Sequence, residues 1–463
     1  MKMKKTVVID VVGLTKRLIG EHTPAILNFL EKGGWAPVEP VVPAVTCSAQ
    51  STYLTGKWPS EHGIVGNGWY FKEELEVKFW RQSNRLVQAE KIWEKFKAED
   101  PDFTCANMFW WYNMYSSVDY SVTPRPNYLA DGRKIPDIYS YPAGLRDELQ
   151  EELGTFPLFN FWGPKTSIKS SRWIADATMR VDEKYDPTLT LVYLPHLDYN
   201  LQRHGLDFDK IGEDLREIDA VVADLIHYYE QRDAEIIILS EYGITDVQRP
   251  VHINRILRSM DLLGIRVERG LELLDAGASK AFAVADHQVA HVYVNEPGII
   301  TELADQLSRI PGVKKVLTGE DLKAYHLQHE RCGDIVLLAG ADSWFTYYFW
   351  TDDAKAPDYA RMVDIHKKPG YDPVEMFTDP ADPMVMPKVA WKLLKKKLGF
   401  RTVLDIIPLK PELIKGSHGI VPEDKADYPI FISNNKNAKL PGSISAVEVR
   451  GLMEAHLTGI AGS

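Results

Sequence analysis

The chain has 463 residues, of which 45% are hydrophobic and 26% charged, and its formal net charge is −11. One hydrophobic core rarely serves a chain this long, so we expect one large domain with a smaller inserted one. The acidic charge excludes proteins that wrap a nucleic acid polymer, because those need a basic surface. Cys47, Cys105 and Cys332 form no CxxC-type spacing or disulfide framework, so we expect reduced, buried thiols.

The first residues, MKMKKTVVIDVVGL, place lysines before an apolar run. The run is short, contains Asp10 and lacks a small-residue cleavage site. It therefore predicts a buried strand and not a signal peptide. No apolar stretch of the chain approaches the roughly 18 residues of a transmembrane helix. We expect a cytoplasmic protein without a membrane partner.

Strand and helix patterns alternate along the first half of the chain. Continuous apolar runs predict buried strands over Lys5–Val12, Leu189–Leu194 and Glu235–Leu239. A helix is predicted over Thr23–Lys32, and apolar residues at a period of 3.6 predict another over Ile211–Tyr229. This alternation predicts an α/β fold with a doubly wound, mostly parallel sheet.

The pattern changes from about Ala281. The run AFAVADHQVAHVYV predicts a strand pair or one long strand, Gly298–Ile310 predicts a helix, and VKKVLTG a short strand. Residues 340–400 are rich in Pro, Asp and Lys and predict long loops. We expect residues 1–270 to form the first part of the core, 271–400 an inserted α+β region, and 401–463 a return to the core.

Acidic and histidine side chains recur at or just after the ends of the predicted strands. In doubly wound sheets these carboxyl ends form the active site. Oxygen and imidazole donors there suit one or two divalent metals. The candidate ligands are Asp10, Thr46, Asp198, His204, Glu241 and His418. Metal binding and a helix N-terminus would both acidify the Thr46 hydroxyl, which makes Thr46 the candidate nucleophile.

An aromatic segment, NMFWWYNMYSSVDYSVTPRPNY, follows these motifs. Two interpretations are open for Trp110, Trp111 and Arg125. They line a substrate pocket that stacks a planar leaving group and pairs with an anion, or the two tryptophans pack inside the fold.

Two segments, VVIDVVGL and PAVTCSAQSTYLTGKWPSEHGIVGNGWY, resemble the opening of the type I phosphodiesterase/nucleotide pyrophosphatase branch of the alkaline phosphatase superfamily, which includes phosphonoacetate hydrolase. The resemblance implies an alkaline phosphatase-like core with two divalent ions, Zn²⁺ or Mn²⁺. It implies that Asp10 binds metal, that Thr46 forms a phosphothreonine, and that Asn67 contacts a phosphoryl oxygen. LPHLDYNLQRHG and GSHG resemble later ligand segments and imply metal binding by Asp198 and His418.

The chain departs from the family pattern at two places. The family spaces an Asp and a His as i, i+4, but this chain has Gln202 four residues after Asp198. His204, at i+6, needs a loop insertion to reach the metal. The family motif S-D-H-G is here Ser-Glu-Tyr-Gly, so that Glu241 is followed by Tyr242 and a nitrogen ligand is lost.

Three outcomes are open for the altered metal site. It is oxygen-rich and prefers Mn²⁺ or Mg²⁺ to Zn²⁺. Alternatively another residue substitutes, for which the candidates are Asp286, His287 and His366. In the third case metal binding at the site is weakened, and the protein is a slow enzyme that acts mainly by binding its ligand.

The resemblance implies a hydrolase of phosphodiesters or nucleotide-type pyrophosphates. The alternatives are a phosphonate C–P hydrolase and a weakly active metal-binding relative. In each case the expected partner is a small phosphorylated or phosphonate compound, and no nucleic acid polymer.

Overall fold

A computed structural model describes residues 3–130, 133–400, 402–435 and 440–459. Its centre is a nine-stranded sheet whose strands lie in the order Ile444–Ser445, Gly34–Glu39, Ile430–Ser433, Glu235–Leu239, Thr6–Val11, Leu189–Leu194, Cys105–Met108, Tyr120–Pro124, Ile138–Tyr141. The five strands from Glu235–Leu239 to Tyr120–Pro124 run parallel. Antiparallel pairings flank them on both sides.

The central parallel strands are mostly apolar because helices cover both faces of the sheet. Thr6–Val11 and Leu189–Leu194 are buried at every position. The long helix Phe208–Glu230 buries one side, including Leu215, Ile218 and Val222. The predicted α/β fold class is confirmed, with a mixed sheet whose centre is parallel.

Fourteen α-helices lie within the described residues. They are Pro24–Lys32, Thr46–Thr55, Pro59–His62, Ile92–Glu99, Gly144–Leu153, Leu158–Phe161, Ile168–Tyr185, His196–His204, Phe208–Glu230, Ile253–Ser259, Ile300–Ser308, Glu320–Ala324, Val385–Lys397 and Val449–Thr458. Val385–Lys397 is helical although the composition predicts a loop there. No helix of the described residues combines the length and the apolar character needed to cross a membrane.

A second sheet of four strands belongs to the region after residue 280. Its order is Ala281–Asp286, Val289–Val294, Ile335–Ala339, Val313–Leu317, with antiparallel neighbours throughout. This sheet has a hydrophobic core of its own, which also takes in Val65, Trp69 and Tyr112 from the first part of the chain. The hairpin Ala281–Val294 turns at His287 and thereby brings its tip towards the main sheet.

Short two-stranded pairings complete the strands. They join Gly68–Phe71 to Glu76–Phe79, Asn127–Tyr128 to Lys134–Ile135, Thr245–Asp246 to Gly416–Ser417, Arg249–Val251 to Ser343–Phe345, and Ile265–Glu268 to Leu271–Leu274. The three cysteines are free and buried, as the sequence predicts.

Candidate active site

Three acidic side chains meet at one edge of the main sheet. Asp10 lies within the strand Thr6–Val11, and Glu241 and Asp198 follow the two strands on either side of it. These three strands are parallel, so their carboxyl ends coincide. All three side chains are buried. The sequence therefore concentrates buried negative charge at the position where an α/β fold places its chemistry.

Thr46 is the first residue of the helix Thr46–Thr55. The residue before it, Val45, offers no side-chain cap, and the next backbone N–H, of Cys47, donates to Asn67 Oδ1 over 3.0 Å. The first turn of a helix carries a partial positive charge. The Thr46 hydroxyl is consequently buried where an alkoxide or a phosphoryl group is stabilised.

Gln50 joins the carboxylates of Asp10 and Glu241. It lies one helical turn after Thr46, and its Nε2 donates to Glu241 Oε1 over 2.5 Å and to Asp10 Oδ2 over 3.3 Å. Its Oε1 accepts from the Trp111 backbone N–H over 2.6 Å, which fixes the orientation of the amide. We call Asp10, Thr46, Gln50 and Glu241 the first cluster.

Two oxygens of the first cluster have no hydrogen-bond partner. They are Asp10 Oδ1 and Glu241 Oε2, and both are buried. Burial, and then the charge of Glu241, raises the pKa of Asp10. Burial raises the pKa of Glu241 to about 7. Two adjacent buried carboxylates with unpartnered oxygens need a shared proton or a cation between them.

Asp198, Gln202, Tyr242 and His418 form a second cluster. The helix His196–His204 places Gln202 on the same face as Asp198, and Gln202 Nε2 donates to Asp198 Oδ2 over 2.8 Å. Tyr242 Oη donates to Asp198 Oδ1 over 3.1 Å. Both oxygens of this carboxylate are thus hydrogen-bonded, although burial raises the pKa of Asp198 to about 7.

His418 holds one ring nitrogen towards Asp198. Its Nδ1 is 2.7 Å from the Ala44 carbonyl, so Nδ1 carries the proton, and Nε2 is 3.8 Å from Asp198 Oδ1 without a hydrogen bond. Burial lowers the pKa of His418 to about 3, which keeps the ring neutral. The ring stacks on Tyr242 with centroids 3.5 Å apart.

Tyr242 connects the two clusters. Its Oη lies 3.3 Å from Thr46 Oγ1 and also bonds Asp198. Tyr242, which stands where the expected family pattern has histidine, therefore bridges the nucleophile candidate and the acid of the second cluster.

The hairpin tip of the small sheet supplies Asp286 and His287. Asp286 accepts from the Asn67 backbone N–H over 2.8 Å and from Asn67 Nδ2 over 3.1 Å. His287 lies at φ 58°, a strained value for a residue with a side chain, and packs 3.7 Å from the His418 ring. Asp286 thus orients Asn67, and His287 lies beside the second cluster.

Three predicted residues lie elsewhere. The loop insertion that would deliver His204 is absent, since 196–204 is a helix, and position i+6 turns away from Asp198 towards Lys210 and Asp207. His366 approaches the Phe79 carbonyl and the Tyr128 ring, and no contact joins it to either cluster. Arg125 is exposed after the strand Tyr120–Pro124.

The two tryptophans have different environments. Trp110 is fully buried in the main core and donates from Nε1 to the Val192 carbonyl, so it is a packing residue. Trp111 packs edge-on against Trp80, which in turn packs against Tyr371. Tyr371 stacks on His287, so these three rings form an aromatic wall beside the clusters.

The donor sets of the two clusters differ in their fit to a cation. The first cluster offers two unpartnered carboxylate oxygens and one hydroxyl, which suits one hard divalent ion. The second offers one carboxylate whose oxygens are already bonded and the unpartnered Nε2 of His418, and the unpartnered Nδ1 of His287 lies on the neighbouring ring.

One group of three His, Cys, Asp or Glu ligand atoms lies within 4.8 Å of one another in the part of the chain that the structure describes, namely His196, Asp214 and Glu217. It lies between two helices, on the side of His196–His204 away from Asp198. Among the described residues, no group that meets this distance limit lies at the candidate site itself.

Sequence reasoning missed Gln50 and Tyr371. Gln50 is four residues from Thr46, and this spacing puts both side chains on one helix face, so the sequence alone could have indicated Gln50 as a site residue. Tyr371 comes from a distant loop and donates to Gln202 Oε1 over 3.3 Å, a contact that no local pattern indicates.

The fold and the buried acid–threonine edge define an alkaline phosphatase-like α/β protein. The family model of the type I phosphodiesterase/nucleotide pyrophosphatases matches residues 6–372, and the chain belongs to that family. Divalent metals are usual in its enzymes.

Similar proteins include two ectonucleotide pyrophosphatase/phosphodiesterases, from Saccharomyces cerevisiae and Caenorhabditis elegans. They are 25% and 22% identical over 54% and 77% of this chain. The chain spans only 35% and 37% of their length.

Two solved structures share the fold. Mouse ectonucleotide pyrophosphatase/phosphodiesterase 5, an inactive variant in complex with AMP, has a TM-score of 0.59 at 15% identity, with 99% of this chain and 96% of that one covered. Phosphonoacetate hydrolase from Sinorhizobium meliloti 1021, in complex with phosphonoacetate, has a TM-score of 0.61 at 14% identity, covering 98% and 96%.

Proposed function

We propose that this protein hydrolyses small phosphodiesters or nucleotide-type pyrophosphates with Thr46 as the nucleophile. One observation carries the proposal: the Thr46 hydroxyl lies at a buried helix N-terminus in contact with Glu241, which Gln50 links to Asp10, and each of these two carboxylates keeps one unpartnered oxygen. An anionic substrate needs such a positive helix end, and the two carboxylates need a cation.

Asp10, Glu241 and Thr46 would hold one divalent ion. When bound, the ion neutralises the two acids and lowers the pKa of the threonine hydroxyl. The oxygen-only donor set favours Mn²⁺ or Mg²⁺ over Zn²⁺. Both oxygens of Asp198 already accept a hydrogen bond, so the proposal needs only this one ion.

The chain's own residues give the Thr46 proton a path. Thr46 Oγ1 can donate to Tyr242 Oη at 3.3 Å, while Tyr242 donates to Asp198 Oδ1 at 3.1 Å. Thr46 Oγ1 then bonds to phosphorus as the leaving group's P–O bond breaks. Water subsequently cleaves the phosphothreonine and regenerates the hydroxyl.

Asn67 orients the phosphoryl group in this scheme. Its Oδ1 and one Nδ2 hydrogen are held by Cys47 and Asp286, so the amide cannot rotate. The second Nδ2 hydrogen can donate to a phosphoryl oxygen. The wall of Trp80, Trp111 and Tyr371 can stack a planar group such as the base of a nucleotide, the kind of ligand present in the mouse structure.

Replacing Thr46 tests the proposal. We expect Thr46→Ala to lower kcat/KM for a p-nitrophenyl phosphodiester by at least about 10³-fold, because it removes the attacking atom. Thr46→Ser keeps an oxygen and is the matched control, with a much smaller loss. Assays with Mn²⁺, Mg²⁺ and Zn²⁺ added separately test the ion preference.

Undiminished turnover by Thr46→Ala would end the proposal. Phosphonoacetate, assayed beside the diester, separates a C–P hydrolase from a phosphodiesterase. A purified protein that binds divalent ions but turns over neither substrate supports a binding role instead.

A further inference from the structure

The helix Val385–Lys397 presents an unusual share of the protein's exposed apolar surface. Of the 19 large apolar side chains that are exposed within the described residues, nine lie between Met384 and Leu404. Trp391 is 55% exposed and Leu398 is 65% exposed. Scattered single exposures are ordinary on a protein surface, but a cluster of this kind marks an interaction site.

Three exposed apolar residues share a face, two in the helix and one directly after its last residue, whereas Met386 and Leu393 are exposed on other sides of the helix. Trp391, Leu394 and Leu398 recur at spacings of three and four, which aligns them along one side of an α-helix. Val385 is buried and Val389 is half-buried, and both lie on the opposite side. The helix therefore packs on the protein with one apolar edge and turns a second one outwards.

Lysines flank the outward stripe. Lys388, Lys395 and Lys397 are exposed, and Lys395 Nζ lies 5.2 Å from the Trp391 ring centroid. The protein as a whole has a net charge of −11, so this local basic surface opposes the overall charge. Basic residues beside a tryptophan–leucine stripe are the composition of helices that lie in the headgroup region of a bilayer.

We propose that the helix Val385–Lys397 docks on the surface of an anionic lipid bilayer, with Trp391, Leu394 and Leu398 inserted and the flanking lysines on the headgroups. The helix has 13 residues, about 20 Å at 1.5 Å per residue, which is too short to span a hydrocarbon core of about 30 Å. It must therefore lie parallel to the surface. Such docking runs against the expectation of no membrane partner.

The charge pattern favours a bilayer over a second copy of the chain. A symmetric dimer through this stripe would bring the lysines of one copy close to the lysines of the other, which is repulsive. An anionic bilayer accepts the apolar stripe and the positive flanks together, and each lysine near its surface strengthens binding about fivefold.

Vesicle co-sedimentation of the full chain tests the proposal. We expect binding to vesicles of phosphatidylcholine mixed with phosphatidylglycerol, and much weaker binding to phosphatidylcholine alone or at high salt. Combining Trp391→Ala, Leu394→Ala and Leu398→Ala should lower the partition coefficient at least about 100-fold, because the insertion area is lost. Combining Lys388→Gln, Lys395→Gln and Lys397→Gln should lower it roughly 100-fold.

Matched controls separate this surface from the rest of the protein. Phe159→Ala, Leu129→Ala and Val267→Ala remove exposed apolar groups elsewhere, and Lys57→Gln, Lys280→Gln and Lys323→Gln remove the same charge elsewhere. Both control triples should bind vesicles like the unmodified chain, and thermal unfolding checks that every variant folds. Equal losses in test and control triples overturn the proposal. The proposal is also overturned if the chain does not bind vesicles and instead forms a dimer in sedimentation equilibrium. In that case the triple variant at Trp391, Leu394 and Leu398 would be monomeric.

Discussion

The two clusters of the candidate site stabilise buried carboxylates in different ways. In the first cluster Asp10 and Glu241 each keep an oxygen without a partner, so the pair depends on a shared proton or a cation. In the second, Gln202 and Tyr242 supply a donor to each oxygen of Asp198. A buried carboxylate that accepts two hydrogen bonds is stabilised by neutral groups. Gln202 and Tyr242 occupy the positions where the expected family pattern has histidine, and their hydrogen bonds stabilise the Asp198 carboxylate.

The largest expected difference between the clusters is in cation affinity. Asp10→Asn and Asp198→Asn each remove one buried carboxylate charge and preserve side-chain shape. We expect Asp10→Asn to weaken Mn²⁺ binding at least about 100-fold, because it takes a direct ligand from the first cluster. Asp198→Asn should leave the affinity within about threefold, since it acts in the other cluster.

Isothermal titration calorimetry with Mn²⁺ measures both affinities, and the two variants are controls for each other. Equal weakening by both would show that one ion sits between the clusters. In that case the division into two clusters would be wrong.

The next test restores the family residues in the second cluster. Gln202→His combined with Tyr242→His adds two nitrogen donors beside Asp198 and His418. We expect the affinity of this cluster for Zn²⁺ to rise about tenfold or more, with a second ion retained on purified protein. Metal analysis of the protein after gel filtration gives the content directly.

Gln202→Asn combined with Tyr242→Phe is the matched control, because it alters the same positions without adding nitrogen ligands. Should the histidine pair retain no more zinc than this control, the loss of the two family histidines would not explain the difference between the clusters.

Much of the fold and part of the site follow from the sequence. The strands Thr6–Val11 and Leu189–Leu194 are predictable within a residue, because strands covered on both faces are buried at every position and therefore mostly apolar. The strand-end rule then locates Asp10 and Glu241, and the structure brings them together with Thr46, Asp198 and His418.

Other parts of the site could not be read from local patterns. The helix His196–His204 follows a proline and mixes polar and apolar residues, so it resembles a loop, and the choice between Gln202 and His204 depends on that assignment. Gln50 lies on a helix that is buried on all sides and has no amphipathic pattern. His287 reaches the site only because a hairpin of the second sheet turns there.

The smallest expected effect is on stability, and the test compares replacements of Gln202 and Gln50. Gln202→Ala leaves Asp198 Oδ2 without its donor and should lower the free energy of unfolding by about 1–3 kcal/mol. Gln50→Ala removes the donor of Glu241 and should cost about the same in EDTA. Mn²⁺ at 100 times its dissociation constant adds about 2.7 kcal/mol to any chain whose first cluster binds it, the unmodified chain included. Relative to the unmodified chain under the same conditions, the Gln202→Ala loss should therefore be equal with and without Mn²⁺, whereas the Gln50→Ala loss should shrink in Mn²⁺ because the ion takes the place of the lost donor. Urea unfolding of the unmodified chain and both variants, followed by circular dichroism with and without Mn²⁺, measures these losses. A Gln202→Ala loss that also shrinks in Mn²⁺ would mean that Asp198 binds an ion once its amide partner is gone, so that hydrogen bonds only mask a second cation site.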